Sequence, residues 1–224
     1  GDGTAVLAGT AAGEVVALEP ATGEVLGRAT VSGLADLAPA GTSDVLVARP
    51  ADVADRSAAA SVLASILGGT AEGYEARLAS SAEEVSVPAN LDADPRAALD
   101  AAIADGRLAG FEFRSESLIA AAGSDGLTFL TRDATAAGFI ATEAPVTGLD
   151  LVTGVDEPSV YAATGEVVTV VRVGGEAART GPAYSATIWM PAEVFRVAFD
   201  PATEVVHVLG LTPVGDASTV YAIE

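Results

Sequence analysis

Short apolar runs, separated by turn residues, recur along most of the chain. Residues 5–9, 14–18 and 24–28 are the first three runs, and a Gly or Pro lies between each run and the next. Because Gly and Pro interrupt a hydrogen-bonded ladder, this pattern predicts a meander of antiparallel strands. Residues 34–38 and 44–48 predict a further pair of strands.

The same arrangement returns later in the chain. Residues 118–130 match the first two runs and the turn between them, and residues 159–163 match residues 44–48, at an offset of about 113–115 positions. The turn at residues 200–203 repeats residues 19–22 in a third, partial copy. Each unit holds roughly 45 residues and four short strands, which is typical of a β-propeller blade. The sequence therefore predicts a mainly β fold, a β-propeller of about four to five blades that is either complete or incomplete.

Residues 53–107 depart from this pattern and predict helices. Residues 57–67 are rich in Ala, with apolar residues at helical spacing, and residues 70–80 add another turn or two. Asp94 and Pro95 mark a further helix start, as N-cap and first helical residue. The apolar stripe of this last helix comprises Leu99, Ala102 and Ile103.

We interpret residues 53–107 as a helical insertion between blades, within a single domain that spans residues 1–224. Residues 84–87 resemble a strand and are predicted to belong to a blade. The alternative is a separate helical domain, which is disfavoured because roughly 55 residues bury little core.

The chain is strongly acidic. Of its 224 residues, 31 are Asp or Glu and 11 are Arg, with no Lys, which gives a formal net charge of −20. Such a surface repels phosphate backbones, so nucleic acid is excluded as a partner. The acidic residues are dispersed over turns and helix starts, which favours general solvation over a specific cationic partner. The codon bias of a high-G+C bacterium explains the missing Lys, and adaptation to high salt is the alternative.

Composition also excludes several kinds of structure. The chain contains no Cys, so a disulfide framework and a Cys-based zinc site are excluded. No stretch approaches about 18 consecutive apolar residues, so no segment is predicted to span a membrane. Gly1 begins the chain, its only Met is Met190, and a strand pattern starts almost at once. We therefore expect a piece of a longer polypeptide.

Sequence motifs for catalysis are scarce. The single His, His207, lies among apolar neighbours in a predicted strand, which favours a solvated or core-edge position over a catalytic one. The chain has no Gly-x-Ser-x-Gly elbow, and the pair Gly174 and Gly175 lacks the Lys of a phosphate loop. Sequence alone cannot select a carboxylate pair for glycoside hydrolysis among 31 acidic residues. We therefore predict no catalytic residue.

Two clusters of acidic residues are close enough in the sequence to be compared with metal sites. The two closest clusters are Asp92, Asp94 and Asp100, and Asp150, Asp156 and Glu157. Neither has the spacing of a calcium loop, and Asp94 is already explained as a helix cap. We predict no metal site and no cofactor.

Two aromatic residues are candidate ligand contacts. Trp189 and Tyr184 lie in one predicted strand that ends before Pro191. Because aromatic rings form stacking platforms in sugar-binding propellers, both are candidate ligand-binding residues. The alternative, which the sequence favours, is a Trp packed between blades, since Trp189 has no counterpart in the earlier repeats.

The last part of the chain resembles a known family. FDPATEVVHVLGLTPVGD at residues 199–216 and TVYAIE at residues 219–224 are similar to a segment of bacterial membrane glycosyltransferases. These belong to the dolichyl-phosphate-mannose protein mannosyltransferase superfamily, in its actinobacterial-type versions. The resemblance implies a soluble domain on the extracytoplasmic face of the cell membrane. The family's catalytic acids lie in loops of the membrane-embedded part, and no position here matches them.

Three functions follow as hypotheses. The first is a non-catalytic propeller module of a membrane-anchored glycosyltransferase, which binds a protein or glycan acceptor. The second is a secreted or periplasmic propeller that scaffolds protein partners. The third is a hydrolase built on a propeller.

Overall fold

A computed structural model describes most of the chain. Its described ranges are residues 5–88, 93–153, 157–174, 181–211 and 218–223, with only the backbone described for Ala93 and Asp94. Within these ranges the fold is mainly β, as the sequence predicted, and the strands form several antiparallel sheets.

Four sheets follow one another along the chain. The first contains β1 (Val6–Gly9), β2 (Glu14–Leu18) and β3 (Val25–Thr30), in that order. The second contains β4 (Asp36–Ala48), β5 (Val85–Ser86), β6 (Phe111–Ala122), β7 (Gly126–Leu130) and β8 (Ala136–Ala141), in the order β5-β4-β6-β7-β8. The third contains β9 (Val146–Val152), β10 (Ser159–Thr164), β11 (Val167–Arg172) and β12 (Ala183–Trp189), and the fourth contains β13 (Glu193–Asp200), β14 (Val205–Leu211) and β15 (Ser218–Ile223). Both of these are simple meanders.

The sheets pack face to face in chain order, each contact having its own apolar core. Val15 and Val31, from the first sheet and its following turn, pack with Leu130 of the second. Leu118 of the second sheet and Leu149 of the third share a larger cluster. Residues of the third and fourth sheets share another, which includes Val168. Burying both faces of the inner sheets in this way supplies most of the hydrophobic stabilisation.

Strands β4, β9 and β13 lie next to one another and hold the sheets together by polar contacts as well. Asp150 on β9 accepts a hydrogen bond from the backbone N–H of Phe199 on β13, at 2.8 Å. Arg196 on β13 donates to Asp36 on β4, at 2.7 Å. The two Asp residues occupy matching positions in the sequence repeat, and each links its strand to the fourth sheet.

One predicted strand pair is wrong. Residues 34–38 and 44–48 do not pair with each other; residues 36–38 and 44–48 belong to the single strand β4, and both parts pair with β6. The register shifts between Pro39 and Thr42, and Gly41 has a φ of +74°, so the chain bends there without reversing. Pro and Gly mark such a bulge as readily as a turn, which is why the local sequence misled.

This correction also changes which residues of the repeat units correspond to each other. Residues 159–163 form β10, which pairs with β9 on one side and β11 on the other. In the second sheet that place is taken by the end of β6, since Ile119 to Ala122 pair with both β4 and β7. Residues 44–48 are therefore not the counterpart of residues 159–163.

Three helices connect β4 to β6. They are α1 (Arg56–Leu67), α2 (Ala71–Leu78) and α3 (Ala93–Ala104). Because β4 and β6 are neighbours in one sheet, the helical insertion lies within the second sheet. The expectation that it lies between two blades is therefore wrong. β5 lies in the segment predicted as a blade strand, residues 84–87, and pairs with β4 on the side away from β6.

Local sequence signals fix the helix ends. The side chain of Asp55 accepts a hydrogen bond from the N–H of Ala58 at 2.9 Å, and Gly68 ends α1 with a φ of +78°. Thr70 caps α2 in the same way through the N–H of Gly73. Helix α3 starts at Ala93, so the prediction that Asp94 is its N-cap is wrong. Pro95 lies in the first turn, where its missing N–H is tolerated because the first N–H groups of a helix have no partner within the helix.

The helical insertion packs on the same β4–β6 pair that supports the sheets. Side chains alternate along a strand, so Val45 and Val47 of β4 face the core between the second and third sheets, whereas Leu46 and Ala48 face the helices. Leu99 and Ala102 of α3 are fully buried there, as the apolar stripe predicted. Ile103 is partly buried against the same cluster.

A charged residue fastens α3 to the strands. The guanidinium of Arg96 lies 3.6 Å from the centre of the Phe113 ring on β6. It also pairs with Asp44 on β4 at 2.9 Å and with Asp100 one helical turn later at 3.1 Å. No helix within the described ranges is long and apolar enough to cross a membrane.

We predict that Gly148→Ala destabilises the fold. A Cβ at Gly148 on β9 would lie 2.7 Å from the backbone oxygen of Phe195 on β13, so the two strands would have to separate. We expect the free energy of unfolding to fall by about 1–3 kcal/mol, measured by urea denaturation. An unchanged transition midpoint would contradict the close approach of β9 and β13.

Candidate functional site

The two aromatic candidates lie on the outer strand of the third sheet. Trp189 is 76% exposed and Tyr184 is 55% exposed, both on the edge strand β12. The hydroxyl groups of Tyr184 and Thr187 are hydrogen-bonded at 2.8 Å. Trp189 is therefore not packed between sheets, and the alternative that the sequence favoured is wrong. A ligand contact of these two rings stays a prediction.

Among the described residues, the remaining sequence candidates are not gathered into a site. His207 is exposed on β14, between the buried Val206 and Val208. Asp92 and Asp156 lie outside the described residues, as do the side chain of Asp94 and the residue Gly175. Within the described ranges, no three His, Cys, Asp or Glu side chains are grouped closely enough to hold a metal ion.

A polar cavity lies where the helical insertion meets the first two sheets. Its volume is about 530 Å³. The walls come from α2 and the segment after it, from β5, from the middle of β6, from the turn between β7 and β8, and from β3. We call it the main cavity. Sequence reasoning singled out none of its lining residues.

Charged side chains dominate the walls of the main cavity. The acidic lining residues are Glu19, Glu84, Glu116 and Asp133, and the basic ones are Arg28, Arg77 and Arg132. None of the lining residues is aromatic. The partners of each charged group therefore decide which of them is available to a ligand.

Glu84 is fully engaged. Arg114 donates to both oxygens of its carboxylate, one of these contacts measuring 2.8 Å, and Arg49 donates to it at 3.2 Å. The hydrogen bond from Arg114 is the main reason why the pKa of Glu84 is lowered to about 2. Arg114 and Arg49 also share Glu112, so the four side chains form one network across β4, β5 and β6.

Arg77 ties α2 to the strands behind it. Its guanidinium donates to the backbone oxygen of Ser86 and to the hydroxyl of Thr135, and it lies 3.7 Å from the carboxylate of Asp133. Burial lowers the pKa of Arg77, and the charge of Asp133 opposes this shift. Asp133 in turn accepts hydrogen bonds from Thr131 and from the N–H of Thr135. The charged groups of Arg77 and Asp133 therefore both have partners within the protein.

Glu116 differs from these residues. Its Oε2 atom is buried and accepts no hydrogen bond from any described residue. Burial raises the pKa of Glu116, and the charge of Arg132 is the strongest opposing influence. A buried carboxylate oxygen without a donor is costly, so this group gains from any ligand that brings a hydrogen-bond donor.

A glycine allows the first sheet to close the main cavity. A Cβ on Gly27 would lie 1.8 Å from the backbone oxygen of Asp133, so β3 meets the β7–β8 turn in direct backbone contact. Next to Gly27, Arg28 pairs with Glu14 at 2.7 Å. A second cavity of about 490 Å³ adjoins the first at Arg77 and is lined by Tyr74, whose pKa burial raises.

Comparison with known proteins identifies no family. No protein-family model matches the chain, and no curated protein matches its sequence. The chain is similar to the crystal structure of BBS1N in complex with ARL6DN, soaked with mercury, with 14% identity and a TM-score of 0.39; the match covers 97% of this chain and 46% of that one. The chain thus spans about half the length of that protein.

A second solved structure is a protein of unknown function from Bacteroides caccae. It has 8% identity and a TM-score of 0.33, over 98% of this chain and 72% of that one. Neither likeness indicates a mannosyltransferase-related domain, and at these values neither says what the chain binds.

We predict that Glu84→Gln lowers stability in a pH-dependent way. Because the pKa of Glu84 is lowered to about 2, its ionised form stabilises the fold above the pKa of the unfolded chain, and this stabilisation is lost as the pH falls towards 2. The variant should lose about 1–2 kcal/mol of unfolding free energy at neutral pH and match the wild type near pH 2, measured by urea denaturation. The exposed Glu143→Gln is the control, since the same loss of charge there should change little.

We predict the opposite effect for Glu116→Gln. The raised pKa means that ionisation costs more in the folded chain than in the unfolded chain, so wild-type stability falls as the pH rises above the ordinary Glu pKa. The variant should therefore melt at a higher temperature than the wild type at pH 7, and the difference should shrink towards about pH 4. Equal melting temperatures throughout would show that Glu116 is solvated.

Proposed function

We propose that this chain is a non-catalytic binding module and that the main cavity is its ligand site. The observation that carries the proposal is the unpartnered Oε2 of Glu116 in the wall of a cavity of about 530 Å³. Ligand sites typically have volumes of about 300–1,000 Å³, and the volume of the main cavity lies within this range.

The engagement of the two acids whose charges act on Glu116 supports binding over hydrolysis. A glycoside hydrolase needs two free carboxyl groups with different protonation states. The two acids whose charges act on Glu116 are Asp133 and Glu84. Asp133 is held by Thr131 and Thr135, and Glu84 by Arg114, so Glu116 has no free partner for acid–base chemistry among them.

The architecture we propose for this module is a β-propeller. Its support is the stacking of meander sheets in chain order and the adjacency of β4, β9 and β13 as inner strands. The described residues contain four such sheets and form no closed propeller.

The family resemblance of residues 199–224 supports a place beside a membrane glycosyltransferase, on the extracytoplasmic face, where the module would bind an acceptor. Sequencing the parent gene tests this: several apolar spans flanking the region are expected, and a parent without them would remove the link. A secreted or periplasmic protein-binding scaffold is the second candidate, supported by the exposed Trp189 and Tyr184 on the edge strand β12.

Nuclear magnetic resonance with a small-molecule library tests the binding module. We expect ligands to shift the backbone amide signals of cavity residues such as Gly27, Ser86 and Thr135. Shifts confined to β12 around Trp189 would favour the scaffold instead. Turnover of a glycoside that Glu116→Gln abolishes would overturn the non-catalytic assignment.

A further inference from the structure

The charges of the main cavity distinguish between classes of ligand. We infer that the main cavity binds an alkylammonium group, with the ammonium donating hydrogen bonds to the carboxylate of Glu116. This inference rests on the proposed role of the cavity as a ligand site.

An anionic ligand fits poorly. Arg77 already donates to Ser86 and Thr135 and lies beside Asp133, and Arg28 is paired with Glu14. A phosphate or carboxylate would have to displace these contacts or bind to Arg132 alone, whose charge already acts on Glu116. It would also approach Glu84, which stays ionised because its pKa is about 2.

A stacked glycan also fits poorly. Sugar rings are recognised by carboxylates and by aromatic faces together. The cavity wall includes no Phe, Tyr or Trp, and the exposed Trp189 is not part of it. Hydrogen bonds to Glu116 would then be the main contact for a sugar, without a platform to orient the ring.

A cation matches the groups that are left. Among the described residues, the side chains of Glu116 and Glu19 make no hydrogen bond or ion pair. Of the three lining Arg residues, Arg28 and Arg77 are paired, and only Arg132 makes no hydrogen bond or ion pair with a described residue. The balance of uncommitted charge is negative. An ammonium with three donors would supply the missing partner of a carboxylate oxygen, and its positive charge makes that hydrogen bond stronger than one from a neutral donor.

The rest of the chain reinforces this preference. A net charge of −20 attracts cations to the molecule before they reach the site. The chain has no Lys, so no side-chain ammonium of its own competes for Glu116. The charge of the whole surface does not favour one cation over another, whereas the unpartnered oxygen in the cavity wall favours a ligand that has hydrogen-bond donors.

Apolar wall residues accommodate the carbon chain of such a ligand. Leu26, Val47 and Val85 line the same cavity, and Val47 and Val85 are buried. The volume of about 530 Å³ leaves room beyond the ammonium itself for several methylene groups. Two sources share this chemistry: a free aliphatic amine, and the lysine side chain of a protein partner.

Isothermal titration calorimetry tests the inference with defined probes. The amine probes are 1,5-diaminopentane and a capped Gly-Gly-Lys-Gly-Gly peptide. The matched negative probes are the same peptide with norleucine in place of Lys, glutarate and glucose. We expect at least one amine probe to bind at low salt, and which of the two binds distinguishes a free amine from a partner's lysine.

Two variants locate the binding. Glu116→Gln should weaken the binding of the amine by about tenfold to a hundredfold, the usual effect of one hydrogen bond between charged groups. Glu143→Gln, which removes the same charge from an exposed position, should change it by less than about twofold. Because Glu116→Gln is expected to raise the melting temperature, weaker binding cannot be attributed to unfolding, and a thermal scan of the same sample checks this.

Three outcomes would overturn the inference. The first is that neither amine probe binds, and the second is that Glu116→Gln and Glu143→Gln weaken the amine equally. The third is that glutarate or glucose, and not an amine, shifts the amide signals of the cavity, in which case the cavity stays a ligand site with another specificity. If no probe and no library compound shifts those signals, the proposed function falls as well.

Discussion

The backbone pairing of β4 with β6 is the contact on which the other parts of the structure depend. The pairing runs from Asp36 opposite Ala122 to Ala48 opposite Phe111. One face supplies the wall of the core between the second and third sheets, and the other face, near Ala48 and Phe111, supplies the floor of the helical core. Because both faces of this ribbon are covered, its register fixes the position of the helices relative to the sheets, and hence the shape of the cavity between them.

Sequence reasoning succeeded where the signal is local. Residues 57–67 form most of α1, and Leu99 lies on the buried face of α3, because helical spacing depends on residues a few positions apart. It failed at Pro39 to Gly41, where a bulge and a turn have the same composition. Only the partner strand β6, more than 60 residues further on, decides between the two.

The candidate site was beyond the reach of the sequence for a different reason. Its charged residues come from α2, β5, β6 and the β7–β8 turn, which are brought together only by the fold. Glu116 is one of 31 acidic residues, and nothing in its neighbours distinguishes it from Glu84. Burial and hydrogen bonding separate them: Arg114 satisfies Glu84, whereas Oε2 of Glu116 is left unpartnered. We predict that Glu116 weakens the free protein, which is the cost expected of a residue in the ligand site that we propose.

The bulge in β4 has an evolutionary consequence. Thr42 and Ser117 face each other across the ribbon, just beyond the bulge. Removing the chain between them would leave two ends close enough for an ordinary hairpin, so the helices could be gained or lost in one genetic event without breaking the meander. Arg77, Glu84 and Glu116 all lie inside that segment. A relative that lacked it would keep the stack of sheets and lose the pocket, so the scaffold could be inherited without the cavity.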